Sequence, residues 1–146
     1  MQRVKKAKVL RQAQDKSLEV VGEIEKGLFV LVGFKKGDSK KDAEGLAERL
    51  SKLRVMSDGN DKMNLSVKDV DGKMLVVSQF TLYADTSGGN RPSFVNAEVP
   101  EKAKKLYEFF INKLKEKEIE TETGSFGDYM QIETILDGPV TIIYSD

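Results

Sequence analysis

The chain of 146 residues carries 24 basic and 24 acidic side chains, so its formal net charge is zero, and 39% of its residues are hydrophobic. This length and composition predict one globular domain over residues 1–146. Zero net charge argues against a protein that holds nucleic acid by bulk electrostatics. It leaves room for a protein that holds only the end of a nucleic acid.

Cysteine and histidine are both absent from the sequence. Their absence excludes disulfides and thiolate metal sites, argues against the usual zinc and copper sites, and removes the commonest catalytic nucleophile–base pairs. No metal and no cofactor are therefore expected. No stretch approaches the roughly 18 apolar residues that cross a membrane, and no signal peptide is recognised. We expect a cytoplasmic protein without a membrane partner.

The first third of the chain predicts three strands. Residues 4–10 and 18–24 are expected to form two of them, joined by a polar connection. Gly27 is then expected to turn the chain into residues 28–32, a continuous apolar run that is typical of a strand buried on both faces.

Capping and turn residues predict the elements that follow. Asp38 or Ser39 is suited to cap the N-terminus of a helix, because apolar residues recur at helical spacing after them. Further along, residues 65–70 and 73–83 are predicted strands that flank Asp71-Gly72. That dipeptide is a strong signal for a two-residue hairpin.

The second half predicts one more helix and three strands. Pro100 suits the first turn of that helix, whose apolar stripe consists of Ala103, Leu106, Phe109, Phe110 and Leu114. Residues 119–123, 129–136 and 140–144 complete the predicted strands. This order predicts a single compact α/β or α+β domain, with mixed β-sheet and two main helices.

One polar run directly follows the apolar run of residues 73–77. It consists of Ser78, Gln79, Phe80 and Thr81. Unpaired polar groups at the end of a buried strand would be costly. On a continuing strand, Ser78 and Phe80 would face one side and Gln79 and Thr81 the other. The residues alone leave three roles open: nucleophile, oxyanion donor or satisfied hydrogen bonder. A nucleophile would need a base, and spacing supplies none.

Gly138-Pro139 is the second candidate. X–Pro bonds adopt the cis form more readily than other peptide bonds, and glycine permits backbone angles closed to other residues. The pair is either a turn between two strands or a backbone device that points carbonyl groups at a ligand.

A third candidate is the segment from Gly124, in which Phe126 and Met130 could line an adaptable apolar pocket or form an ordinary loop. The basic cluster Lys102, Lys104 and Lys105 is suited to a solvated helix face or to weak, salt-dependent contact with RNA.

Taken together, these runs resemble the D-aminoacyl-tRNA deacylase family along nearly the whole chain. The pairing of a Ser-Gln-Phe-Thr run with a Gly-Pro-Val-Thr run about sixty residues later is specific to that family. The matching segments include Gln2-Arg3-Val4, Val21-Gly22-Glu23-Ile24, Lys36-Gly37-Asp38, Ser78-Gln79-Phe80-Thr81, Arg91-Pro92-Ser93-Phe94, Phe126-Gly127 with Met130, and Gly138-Pro139-Val140-Thr141.

The resemblance implies a homodimeric hydrolase that cleaves the ester between a D-amino acid, or glycine, and the terminal adenosine of tRNA. It implies active sites at the subunit interface and a cis peptide bond before Pro139, with Gly138 and Pro139 acting as a chirality gate across the dimer. The catalytic wall is then formed by Ser78, Gln79, Phe80 and Thr81, and the adenosine side by Phe126 and Met130.

The chain departs from the family's pattern at several places. The family usually has about four more residues before Gln2, and its connection after the first strand is usually shorter. It commonly has Asn where this chain has Leu136, and Ala where this chain has Asp128. Two alternatives therefore stay open: a relative with a trans Gly-Pro bond that removes L-alanine from tRNA, or a noncatalytic dimer that binds an RNA end or a peptide.

Without histidine, the mechanism that fits the residues is attack by water assisted by the 2′-hydroxyl of the terminal ribose. The protein would supply positioning, with backbone amides near Phe80 and Thr81 stabilising the oxyanion. A nucleophilic Thr81 is the alternative, and it is weaker because no base is visible in the sequence.

Overall fold

The protein is described by a computed structural model over residues 1–145. These residues form a mixed six-stranded sheet, a separate two-stranded ribbon, two α-helices and one 3₁₀ turn. The strands are β1 (Gln2–Gln12), β2 (Leu18–Ile24), β3 (Gly27–Val32), β4 (Met56–Ser57), β5 (Met63–Leu65), β6 (Lys73–Ser78), β7 (Thr121–Thr123) and β8 (Met130–Thr141); the helices are α1 (Lys40–Ser51) and α2 (Pro100–Glu116), and the 3₁₀ turn is Phe80–Tyr83. The predicted fold class is confirmed.

Strand β1 organises the sheet. Strand β8 pairs antiparallel with it from Gln2 to Arg11 and so occupies one edge. Two strands share the other edge of β1. Strand β3 pairs with the first residues of β1, and strand β2 pairs with the last residues of β1. Beyond β3 come β6 and then β7, both in parallel pairing. The sheet curls until β2 lies against β6 and β7.

Gly27 does not turn the chain as predicted. Both β2 and β3 run antiparallel to β1, so they form one long strand with a bend between them. The glycine is needed for a close approach instead: a Cβ atom on Gly27 would lie 1.8 Å from the carbonyl oxygen of Lys73. The lack of a side chain at Gly27 therefore lets the start of β3 approach the start of β6.

The predicted Asp71-Gly72 hairpin is wrong. Strand β6 pairs with β3 and β7, both parallel, whereas β5 pairs only with β4. Asp71 does adopt a positive φ of 52°, and the amide of Gly72 donates to the carbonyl of Val67. The dipeptide is a local turn into β6, and the better partners for β6 come from distant parts of the chain.

The helices cover one face of the sheet, and the curled strands cover the other. Alternate residues of β3 and β6 pack against α1 and α2, as Val30 and Val76 do. Their neighbours Phe29 and Leu75 face a second cluster formed with β1 and β2. Strand β3 is thus buried on both faces, as its continuous apolar run predicts.

Both helices begin where the sequence predicts. Ser39 caps α1, and its side chain and that of Asp42 exchange hydrogen bonds with each other's backbone amides. Pro100 occupies the first turn of α2. No helix within residues 1–145 is long and apolar enough to cross a membrane.

Candidate active site

The polar run after β6 is not an extended strand. Strand β6 ends at Ser78, and Phe80 to Tyr83 form a 3₁₀ turn. The predicted alternation of side chains between two faces is therefore wrong from Phe80 onward. The amide of Gln79 still donates to the carbonyl of Val32, so the run leaves the sheet at a sharp corner beside the end of β3.

This corner leaves two neighbouring backbone donors free. The first amides of any helical turn have no partner within that turn. Among the described residues 1–145, no acceptor takes the amide of Phe80 or of Thr81. Two adjacent N–H groups that are both unpaired can bind a single anionic oxygen.

The hydroxyl groups of the run form no hydrogen bond with a base among the described residues. The side-chain amide of Gln79 donates to Oγ1 of Thr81. No carboxylate or lysine in residues 1–145 forms a hydrogen bond with Thr81 or Ser78. A hydroxyl that receives a hydrogen bond from an amide and has no base is not activated for nucleophilic attack.

Phe80 forms an exposed aromatic wall. Its ring packs edge-to-face on Phe94, with ring centroids 5.1 Å apart and planes at 70°. Even so, 54% of Phe80 is exposed. An exposed aromatic pair beside free amides is an apolar surface available to a ligand or a second chain.

Gly138-Pro139 lies inside a strand rather than between two. Strand β8 runs from Met130 through Gly138 and Pro139 to Thr141, so the predicted break into two strands is wrong. The pairing with β1 shifts register there, between the partners of Gln2 and Val4. The Gly138–Pro139 peptide bond is cis, and both residues are exposed.

Arg3 holds the backbone next to this pair. It is 8% exposed. Its Nε donates to the carbonyl oxygen of Asp137 over 3.0 Å and lies 3.4 Å from the carboxylate of that residue. Its Nη1 donates to the carbonyl of Val55 over 3.0 Å and to Oγ of Ser57 over 3.2 Å. One buried guanidinium thus ties β1, the approach to β4 and the residue before Gly138 together.

The segment from Gly124 to Met130 folds into a tight loop. The sulfur of Met130 lies 3.3 Å from the amide of Ser125. The hydroxyl of Ser125 donates to the carboxylate of Asp128, and the amide of Asp128 donates back to the carbonyl of Ser125. Asp128, a departure from the family pattern, therefore closes the loop that carries Phe126.

A cavity of about 520 Å³ lies between α2 and this loop, and Phe126 lines it. The ring of Tyr107 is 5.8 Å from that of Phe126, and its hydroxyl donates to the carbonyl of Val76 over 2.7 Å. Burial raises the pKa of Tyr107 to about 12. The hydrogen bond from the phenol to Val76 fixes the ring as a wall of the cavity.

A second cavity, of about 370 Å³, lies between β3, α1 and residues 141–145, and Leu82 and Tyr83 border it. None of the eight predicted site residues lines this cavity. Of those eight, Phe126 alone lines the cavity against α2.

The two predicted walls of the site do not meet within one chain. Gly138 lies on β8, whereas Ser78 ends β6, and strands β1 and β3 separate them in the sheet. Three strand spacings amount to about 14 Å across the sheet.

Within residues 1–145, no group of three or more acidic residues could hold a metal ion. The sequence gives no sign of the role of Arg3, because nothing distinguishes it from the lysines that follow in β1. Tyr107 was not predicted, although its spacing of four residues from Ala103 and from Ile111 places it in the buried stripe of α2.

The comparisons with known proteins agree with this architecture. A family model described as D-Tyr-tRNA(Tyr) deacylase matches residues 1–145. Proteins named D-aminoacyl-tRNA deacylase from Thermotoga petrophila and Desulfatibacillum aliphaticivorans are 50% and 51% identical over 143 residues, covering 98% of this chain and 93% and 94% of those proteins.

Solved structures share the fold. One described as c-Myc DNA Unwinding Element Binding Protein has a TM-score of 0.89 at 35% identity, covering 99% of this chain and 96% of its own. Another, described as a probable eukaryotic D-amino acid tRNA deacylase, has a TM-score of 0.76 at 14% identity, covering 94% and 92%. By its family model and its relatives, the chain belongs to the D-Tyr-tRNA(Tyr) deacylase family, whose members are hydrolases of the aminoacyl ester bond.

Proposed function

We propose that this protein hydrolyses the ester bond of D-aminoacyl-tRNA and of glycyl-tRNA, including glycine mischarged on alanine tRNA, and releases the free amino acid and tRNA. Family membership supports the reaction class. The partner is then the acceptor end of tRNA, and the place of action is the cytoplasm, where tRNA is charged. Neutral net charge suits this role because only the end of the RNA needs to be held.

The observation that carries the proposal is the pair of free amides on Phe80 and Thr81. Ester hydrolysis places negative charge on the carbonyl oxygen in the transition state. Preorganised N–H groups directed at that oxygen stabilise the transition state more than the ground state. The exposed ring of Phe80 belongs to the same corner and offers an apolar surface to the substrate.

Water attacks the carbonyl carbon in this mechanism, assisted by the 2′-hydroxyl of the terminal ribose. Within residues 1–145, no base is hydrogen-bonded to Ser78 or Thr81, and this supports the assignment over a protein nucleophile. An aminoacyl ester is already activated, so positioning and oxyanion stabilisation can supply the required acceleration.

A homodimer completes the site. The catalytic corner at Ser78 and the pair Gly138-Pro139 are separated by two strands within one chain. A pocket that uses both must take the second wall from another copy. Exposed apolar side chains near the pair, Ile135 and Leu136 on β8, support such an interface.

In this proposal the chirality gate selects between D- and L-amino acids with backbone carbonyl groups rather than with side chains. Gly138 and Pro139 present carbonyl groups in a segment that Arg3 ties down from beneath. Rigid carbonyl groups beside the substrate's α-carbon can accept hydrogen bonds from its amino group and sterically exclude an L side chain. A clash of about 4 kcal/mol gives roughly a thousandfold discrimination. Glycine has no side chain to clash, so the gate does not reject it.

The test is hydrolysis of D-tyrosyl-, L-alanyl- and glycyl-tRNA by the purified protein. We expect the first and third to be cleaved and the second to be spared. Cleavage of the L-alanyl ester alone would identify the L-alanine editing relative, and no turnover at all would identify a noncatalytic dimer. The same purified protein in sedimentation equilibrium reports whether it is a dimer.

Two further substrates and variants test the mechanism. A D-tyrosyl-tRNA that ends in 2′-deoxyadenosine should be hydrolysed far more slowly, and an unchanged rate would refute assistance by the ribose. Thr81→Ala should retain most activity. Loss of activity in a folded Thr81→Ala protein, with accumulation of an acyl-enzyme in the wild type, would assign the nucleophile to Thr81 instead.

A further inference from the structure

The face of α2 that borders the cavity of about 520 Å³ carries three polar side chains. Lys104, Glu108 and Asn112 are spaced by four residues and so form one row along the helix, here called the α2 row. Within residues 1–145, none of these three side chains forms a hydrogen bond or an ion pair with another residue.

The two other lysines of the basic cluster, Lys102 and Lys105, differ from Lys104. Lys102 pairs with Glu98 over 3.1 Å, and Lys105 with Glu101 over 3.8 Å. The basic cluster that the sequence presents as uniform is therefore divided by the structure. Of its three members, only Lys104 borders the cavity with an ammonium group not already matched by a carboxylate.

The opposite wall of the cavity is aromatic. Phe126 is half-buried on the loop after β7, and its ring lies 5.8 Å from that of Tyr107. Unpaired bases are commonly bound by stacking on such rings. Along the facing helix, eight residues from Lys104 to Asn112 span about 12 Å. The cavity thus has a flat apolar wall opposite a row with a cation at one end and an amide at the other.

We propose that the α2 row reads the terminal nucleotide of the RNA substrate. The adenine base lies against Phe126, the side-chain amide of Asn112 pairs with N6 and N7 of the base, and Lys104 contacts the phosphate on the 5′ side of the nucleotide. Glu108, between them, repels a phosphate placed next to it and so confines the phosphate to the Lys104 end. This inference rests on the proposed function and on the adenosine side that the family resemblance implies at Phe126.

The phosphate contact is tested with two substrates that differ in the presence of a phosphate: D-tyrosyl-tRNA and the D-tyrosyl ester of free adenosine. Lys104→Ala should raise KM for the tRNA about threefold to fivefold with kcat unchanged. It should also flatten the dependence of log kcat/KM on log salt by about 0.7. The adenosine ester should be hydrolysed as by the wild type. Lys105→Ala removes the same charge one residue away, and it should leave both substrates within about twofold.

The base contact is tested with D-tyrosyl esters of adenosine and of purine riboside, which lacks the N6 amino group. Wild-type protein should prefer the adenosine ester, and Asn112→Ala should remove that preference. Thermal unfolding of each variant checks that these exposed substitutions leave the fold intact.

The outcomes separate this inference from the proposed function. If the wild type hydrolyses neither D-tyrosyl-tRNA nor the D-tyrosyl ester of adenosine, the proposed function and the role of the α2 row are both refuted. If it hydrolyses both, but Lys104→Ala and Lys105→Ala behave alike on tRNA, the phosphate contact is refuted while the deacylase assignment stands. An unchanged base preference in Asn112→Ala would likewise refute the reading of adenine.

Discussion

Arg3 offers the sharpest test of how the fold supports the site. Its guanidinium is buried and makes three hydrogen bonds, to the carbonyls of Asp137 and Val55 and to the hydroxyl of Ser57. Replacing it by Met keeps an apolar stem of similar length but removes the charge and every donor. Arg3→Met therefore isolates the polar role of the side chain from its packing.

The expected loss of unfolding free energy is about 3 kcal/mol, because two carbonyls lose a charged donor and a partly buried carboxylate loses its counterion. Arg3→Lys keeps the charge but cannot reproduce the planar fork of donors. It should lose about 1 to 2 kcal/mol and remain folded. Since Arg3 ties down Asp137, directly before Gly138, the folded Lys variant should also lose discrimination between D- and L-aminoacyl esters.

Urea-induced unfolding followed by circular dichroism measures the first effect, and hydrolysis of D-tyrosyl- and L-tyrosyl-tRNA measures the second. Arg11→Met is the matched control, because Arg11 lies in the same strand but forms exposed ion pairs with Glu19 and Asp128. Its effect on stability should be much smaller. An Arg3→Met protein within about 0.5 kcal/mol of the wild type would refute the role assigned to the buried guanidinium.

Three further predictions follow from local geometry. Gly27→Ala places a Cβ atom 1.8 Å from a carbonyl oxygen and should lower the unfolding free energy by at least about 3 kcal/mol in urea melts, whereas Gly59→Ala, with open space around it, should be neutral. Tyr107→Phe removes one buried hydrogen bond and should cost about 1 kcal/mol at neutral pH. Because burial raises the pKa of Tyr107 from 10.0 to about 12, the wild type should lose stability as pH rises from 10 to 12 and the variant should lack that loss; parallel pH profiles would contradict this. Gly138→Ala places Cβ 2.9 Å from a Val140 methyl group at a φ of 124°, and kcat/KM for D-tyrosyl-tRNA should fall about tenfold or more, so wild-type activity would count against a backbone gate there.

The candidate site was only partly predictable from sequence. Ser78 to Thr81 stand out because hydroxyl and amide groups follow an apolar strand directly. Their geometry could not be predicted, because the end of β6 depends on where β3 and β7 stop pairing with it. Arg3 carries no local signal, since its partners lie 52 to 134 residues away in the sequence.

Local chemistry by itself determined the helices. Ser39 and Asp42 form a capping box within four residues, and Pro100 starts α2, because helix ends are set by neighbours along the chain. Strand pairing was decided only by the tertiary structure. The dipeptide Asp71-Gly72 predicts a hairpin, yet β6 pairs instead with two parallel neighbours, β3 and β7. A sheet is stabilised by contacts between segments that are distant in the sequence. The free amides of Phe80 and Thr81, and their separation from Gly138, therefore depend on how all the strands pair.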